Sequence, residues 1–223
     1  MEDYITKLLN EAPYDMEGNA RTPAACESYK TNDGARKLLE EKAQLFYHIV
    51  AKLLYLCRRT QQDIQTAVAF LCTRVESPNE NDYKKLTRVI QYLRDTRHMT
   101  LTIEPSNSQR WWVDSSYALH PDMKSHIGIF MTISKESMNT SSCKQKLNTK
   151  SSTEAELVAI DDAMAQILWT RHFLATQGKP VPVTTIYQDN KCTILLSENG
   201  KASSSTRTKH LDVCYFFVTD HIK

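Results

Sequence analysis

Apolar residues recur at helical spacing along the first half of the chain. Much of the second half shows the two-residue alternation of strands. From Ala35 the pattern is helical: Phe46, Ile49, Val50, Leu53, Leu54 and Cys57 share one face. Asp63 to Val75 predicts a second helix and Asn81 to Thr96 a third, with Tyr83, Leu86, Val89, Ile90 and Leu93 as its stripe. Lys84, Lys85, Arg88, Arg94 and Arg97 lie on or beside its polar side, as a solvated face or as contacts to a nucleic-acid backbone. Before these helices, residues 1–34 hold one short helix, Tyr4 to Asn10. The breakers Pro13, Gly18, Pro23 and Gly34 then predict an extended tether.

Near Pro105 the period changes, which predicts a boundary between a helical segment over 35–106 and a second domain over 107–223. Strands are expected at Trp111 to Ala118, Ile127 to Ile133, Cys143 to Thr149 and Thr184 to Tyr187. Ser151 starts a long helix, with Ser151-x-x-Glu154 as its capping box. Asp189-Asn190 starts a short helix ending at Gly200, and a last helix begins at His210 after a polar loop. The order β-β-β-α-β-α-α predicts an α/β fold with helices packed on a mixed sheet.

At 223 residues and 41% apolar content, one or two cored domains are expected. A net charge of +2, with both signs mixed throughout, excludes a basic tail as the basis of nucleic-acid binding but leaves room for local basic patches. The six cysteines form no Cys-x-x-Cys pair, so they read as reduced, buried thiols. No apolar run approaches a membrane span, Met1-Glu-Asp-Tyr4 is no signal peptide, and the five glycines form no phosphate-binding loop.

The candidate chemistry lies in acids set among apolar neighbours, where a carboxylate is costly unless paired or holding a cation. Asp114 follows Arg110-Trp-Trp-Val113. Asp189 follows Thr184-Thr-Ile-Tyr-Gln188. Asp212 sits in His210-Leu-Asp-Val-Cys-Tyr-Phe-Phe217. Glu156 lies in the first turn of the long helix, where its dipole favours an anion. Four carboxylates on separate elements predict a divalent-metal site, and hard oxygen donors suit magnesium or manganese. Glu154, Asp161, Asp162 and Asp220 are read as solvated; Asp161 and Asp162 lie over a turn beyond Glu156.

Four motifs carry a resemblance: Val113-Asp-Ser-Ser116, Lys144-Gln-Lys-Leu-Asn-Thr-Lys-Ser-Ser-Thr-Glu-Ala-Glu156, Tyr187-Gln-Asp-Asn190 and Arg207-Thr-Lys-His-Leu-Asp212. In order and spacing, over residues 111–223, they resemble the ribonuclease H domain of copia-type LTR-retrotransposon Pol polyproteins. More loosely, Thr22-Pro23, Val50-Ala-Lys-Leu-Leu-Tyr-Leu-Cys57 with Asp63-Ile64, and Tyr92-Leu-Arg-Asp-Thr96 resemble the thumb and connection segment that follows the polymerase. Gln61-Gln62, Asp95 and Ile127-Gly-Ile129 depart from the family's usual residues. The chain holds no Tyr-x-Asp-Asp, as expected of a fragment without the polymerase core.

The resemblance implies a ribonuclease H-like, mixed five-stranded sheet flanked by helices. It implies a metal-dependent endonuclease that cuts the RNA strand of RNA–DNA hybrids during reverse transcription. Two Mg2+ ions, replaceable by Mn2+, would be held by Asp114, Glu156, Asp189 and Asp212. Asp114 would bridge both, Glu156 and Asp189 would hold the ion beside the leaving group, and Asp212 the ion that activates water. Ser115, Ser116, Glu156, Asn190 and Thr208 are candidate substrate contacts. Lys144, Lys146, Lys150, Arg207 and Lys209 are candidate phosphate contacts. His210 would orient Asp212 or a phosphate, or simply face solvent. The implied partners are the hybrid and the polymerase domain, with no membrane. The implied location is a cytoplasmic virus-like particle or the nucleus. The competing reading is a non-catalytic, hybrid-binding module of a truncated reverse transcriptase. An integrase or resolvase shares the fold but not the motif wording.

Overall fold

The computed structural model describes residues 1–25, 28–32, 34–102, 108–133, 136–181, 183–199 and 212–222, with the side chains of 212–216 left out. The chain forms two compact units, Met1–Thr102 and Ile103–Lys223.

The first unit contains α1 (Glu2–Glu11), α2 (Glu40–Arg59), α3 (Gln65–Cys72) and α4 (Glu80–Thr96). Its core joins Phe46, Ile49, Leu53 and Leu56 of α2 to Val68 and Leu71 of α3 and to Leu86, Ile90 and Leu93 of α4. Residues 1–34 do more than tether. Ile5 and Leu8 of α1, then Met16 and Ala20, are buried in that same core. Each large side chain so buried contributes about 1.5–3 kcal/mol. The backbone between the breakers is also tied down. Gln91 donates to the Glu17 carbonyl, and Arg88 to the carbonyl and hydroxyl oxygens of Thr22. Helix α2 begins at Glu40 rather than Ala35, because Lys37 is engaged in an isolated bridge with Asn79.

The second unit contains β1 (Gln109–Ser116), β2 (His126–Thr132), β3 (Ser137–Lys144), α5 (Ser152–Thr176), β4 (Thr184–Tyr187), α6 (Lys191–Asn199) and α7 (Asp212–His221). The described residues form a four-stranded mixed sheet in the order β3-β2-β1-β4, antiparallel except for the parallel β1/β4 pair. The fifth strand that the resemblance implies is not among them. Burial alternates strictly along β1. Trp111 and Val113 face inward, with Ile127, Ile129 and Met131 of β2, against Ala159, Ile160, Ala163, Met164 and Ile167 of α5. Helix α7 packs on α5 and α6 and adds Val218 to this core.

The other side of β1 turns outward. Trp112 stacks on Tyr187 at 4.9 Å and meets Phe130 edge-on at 5.4 Å, leaving three aromatic side chains exposed in a row across adjacent strands. Among the described residues no helix is long and apolar enough to cross a membrane.

The third strand differs most from expectation: it runs over Ser137–Lys144, not Cys143 to Thr149. Ser137-Met-Asn-Thr-Ser-Ser142 is too polar to show an apolar alternation, and β3 is held by its backbone pairing to β2. The lysine alternation after Cys143 belongs to the connection into α5, where the Gln145 N–H donates to the Ser125 carbonyl at 2.8 Å.

Candidate metal centre

Strand register brings the first two acids together. Trp112 and Tyr187 are partners in the parallel β1/β4 pair. Two residues further on, Asp114 near the end of β1 and Asp189 just beyond the end of β4 come to the same end of the sheet, the paired strands being spaced about 4.8 Å apart. Both are exposed. The N-terminus of α5 points at this end and supplies Glu156, which is buried. A carboxylate oxygen from each of Asp114, Glu156 and Asp189 lies within 4.8 Å of the others.

Several bonds hold the first turns of α5 in place. The Ser151 hydroxyl accepts from the Glu154 N–H at 3.2 Å. Gln145 donates through Nε2 to the Ala155 carbonyl at 2.7 Å and to the Ser115 hydroxyl at 3.4 Å. The Thr193 hydroxyl of α6 donates to the Thr153 carbonyl at 3.2 Å. The Glu156 carboxylate receives two donors: the Ser115 N–H to Oε1 at 3.2 Å and Gln188 Nε2 to Oε2 at 3.0 Å.

Burial is the dominant influence on Glu156 and pushes its pKa up to about 7. The Gln188 hydrogen bond pulls it back, and the nearby charge of Asp114, then of Asp189, raises it. Three acids this close repel one another when ionised, and a divalent cation among them relieves the repulsion. The donors are all carboxylate oxygens, two of the acids open to solvent, and among the described residues no sulfur or nitrogen ligand joins the group. The set therefore fits a hard cation such as Mg2+ or Mn2+.

Sequence comparison finds relatives of this chain among known proteins. The chain is 26% identical over 227 residues to the retrovirus-related Pol polyprotein from transposon TNT 1-94 of Nicotiana tabacum, across 99% of this chain and 17% of that protein. It is 28% identical over 179 residues to the Pol polyprotein from transposon RE1 of Arabidopsis thaliana, across 78% of this chain and 12% of that one. It is 24% identical over 242 residues to the transposon Ty1-ER2 Gag-Pol polyprotein of Saccharomyces cerevisiae, across 96% and 14%. Its relatives are retrotransposon Pol polyproteins. The chain spans about one-eighth to one-sixth of the Pol polyproteins it matches. No protein-family model and no solved structure matches it.

Among the other residues singled out from the sequence, Ser116 is exposed. Ser115 instead turns inward, using its N–H on Glu156 and its hydroxyl on Gln145. Lys144 is engaged at 2.7 Å by Asp122, while Lys146 and Lys150 are exposed. The Asn190 side chain accepts from the Thr193 N–H at 3.1 Å and so caps α6. Asp161 and Asp162 stand outside the acidic group; burial, then Asp161, raises the pKa of Asp162. Asp212 opens α7, and its side chain lies outside the described residues, as do Arg207, Thr208, Lys209 and His210.

Gln145 and Gln188 were not singled out from the sequence. Their one available signal is position: each is an amide inside a motif that also carries acid or lysine residues. Such residues are ordinarily read as spacers.

Proposed function

We propose that the second unit is a ribonuclease H-like, metal-dependent endonuclease that hydrolyses the RNA strand of RNA–DNA hybrids in retrotransposon reverse transcription. The observation that carries this reading is the convergence of Asp114, Glu156 and Asp189, from β1, α5 and the end of β4, within 4.8 Å. Similarity to Pol polyproteins along 99% of the chain supports the same reading.

Asp114, Glu156 and Asp189 would hold the cation. When bound, it would neutralise charge on the phosphodiester and lower the pKa of an attacking water. Glu156 would serve as a ligand in its ionised form, which the donors from Ser115 and Gln188 stabilise. Asp114 and Asp189, being exposed, form the side of the site that a phosphodiester reaches. Ser116 lies beside them for contact with a ribose 2′-hydroxyl, by which RNA is told from DNA. Lys146 and Lys150, both exposed, would meet phosphates. A fourth ligand at Asp212 rests on the resemblance alone.

The test is cleavage of an end-labelled RNA–DNA hybrid by the purified chain with Mg2+ or Mn2+, beside Asp114→Asn. RNA-strand cuts are expected, absent on duplex DNA and reduced by about a hundredfold or more in the variant. A folded chain that binds the hybrid without cutting it would overturn the enzyme reading in favour of a hybrid-binding module.

A further inference from the structure

Gln188 occupies the variable position of Tyr187-Gln-Asp-Asn190, yet its side-chain amide is engaged on both ends. Nε2 donates to Glu156 Oε2 at 3.0 Å and to the Val113 carbonyl at 3.3 Å, while Oε1 accepts from the Asn190 N–H at 3.0 Å. This pattern fixes the orientation of the amide, since two acceptors face the nitrogen and one donor faces the oxygen. A single side chain thus joins β1, α5 and the start of α6. It meets Glu156 on the oxygen that Ser115 leaves unfilled.

We propose that Gln188 is a positioning residue for the cation site: it holds the Glu156 carboxylate in the plane that aims it at Asp114 and Asp189. The proposal rests on the metal-centre reading above. Two donors, one on each oxygen, stop the carboxylate from rotating, so the free lone pairs keep one direction. Without Gln188, Oε2 loses its donor and the carboxylate can turn about its last bond. The neighbouring residue in the chain, Asp189, is itself in the acidic group, so one dipeptide supplies both a ligand and the clamp on another ligand. Partners of this kind typically alter metal affinity by about 10–100-fold when removed.

The test is Mn2+ binding by calorimetry to the full chain, to Gln188→Met, which keeps the length and removes the donor, and to both in a Glu156→Gln background. The expected result is about 10–100-fold weaker binding in Gln188→Met, with the apo chain still folded by circular dichroism. In the Glu156→Gln background the same substitution should change affinity by no more than about twofold, because Gln188 acts through the lost carboxylate. Equal losses in both backgrounds would overturn the proposal, since they would mark a merely structural link from β4 to β1. Unaltered binding in Gln188→Met would also overturn it, alone. If the wild-type chain took up no Mn2+, the metal-centre reading would fail first and this proposal with it. Should Gln188→Met not fold, Gln188→Asn, which keeps an amide but is too short to reach Glu156, carries the same expectation.

Discussion

Glu156 and His126 are both buried and titrate in overlapping ranges, and their effects on stability oppose each other. His126 lies between His120, at 3.0 Å from its Nδ1, and the Ser142 hydroxyl, at 2.8 Å from its Nε2. Burial first, then His120, lowers its pKa to about 4. As pH falls from about 6.5 towards 4, the unfolded chain takes up this proton before the folded one, so stability is lost with acidity. Glu156 runs the other way. Its folded pKa, about 7, lies above the ordinary 4.5, so stability present at low pH is lost as pH rises between these values. In the wild type the two slopes largely cancel. We expect the unfolding temperature of Glu156→Gln to rise with pH across this window and that of His126→Gln to fall. Thermal unfolding in chelator-treated buffers checks this, and parallel profiles for the two variants would refute the assignment.

At the scale of elements, the helix starts show what the sequence makes legible and what it hides. Ser151-x-x-Glu154 was readable, and Ser151 does cap α5. Glu154, however, accepts from the Lys150 N–H at 2.7 Å, one residue before the expected partner. The complete reciprocal box is at α4. There Asn79 accepts from the Asn81 and Asp82 N–H groups, and Asp82 accepts from the Asn79 N–H. Sequence pattern missed it because Asp82 is 1% exposed and paired with Arg74 and Lys85, contacts that only the folded chain makes. Asn79 also donates to the Asn32 carbonyl. Asn79→Ala should therefore cost at least as much as Ser151→Ala, about 1–2 kcal/mol against about 1 kcal/mol, read as shifts in denaturation midpoint. The strands divide in the same way. The apolar alternation of β1 announces it, whereas β3 is polar and shows itself only through pairing. At the site, three acids could be found by their apolar settings, but an amide such as Gln188 looks the same in sequence whether it clamps a carboxylate or faces water.

For the whole molecule, the change of period near Pro105 marks a physical division. Among the described residues, the core of Met1–Thr102 contains no residue of the second unit, and the sheet core of Ile103–Lys223 contains none of the first. A fragment spanning residues 103–223 should therefore fold by itself and keep the affinity of the intact chain for Mn2+ within about threefold, since all three clustered acids and both glutamines lie within it. Near-ultraviolet circular dichroism and Mn2+ titration of the fragment check both points. Loss of the near-ultraviolet signal from packed aromatic side chains such as Trp111 would show that the first unit is needed for folding.

The alternation of β1 also decides which mutations the site can survive. Asp114 reaches the outer face because it is an even number of residues from Trp112 and Ser116, and its register with Gly128, like that of Trp112 with Tyr187, is counted along the same strand. Deleting a single codon between Arg110 and Val113 would shift the strand by one: Val113 would turn outward, Asp114 would be driven under α5, and Ser115 would take its place at the surface. A lineage carrying this chain can exchange side chains on β1 one at a time, but it cannot change the strand's length by one without losing fold and site together.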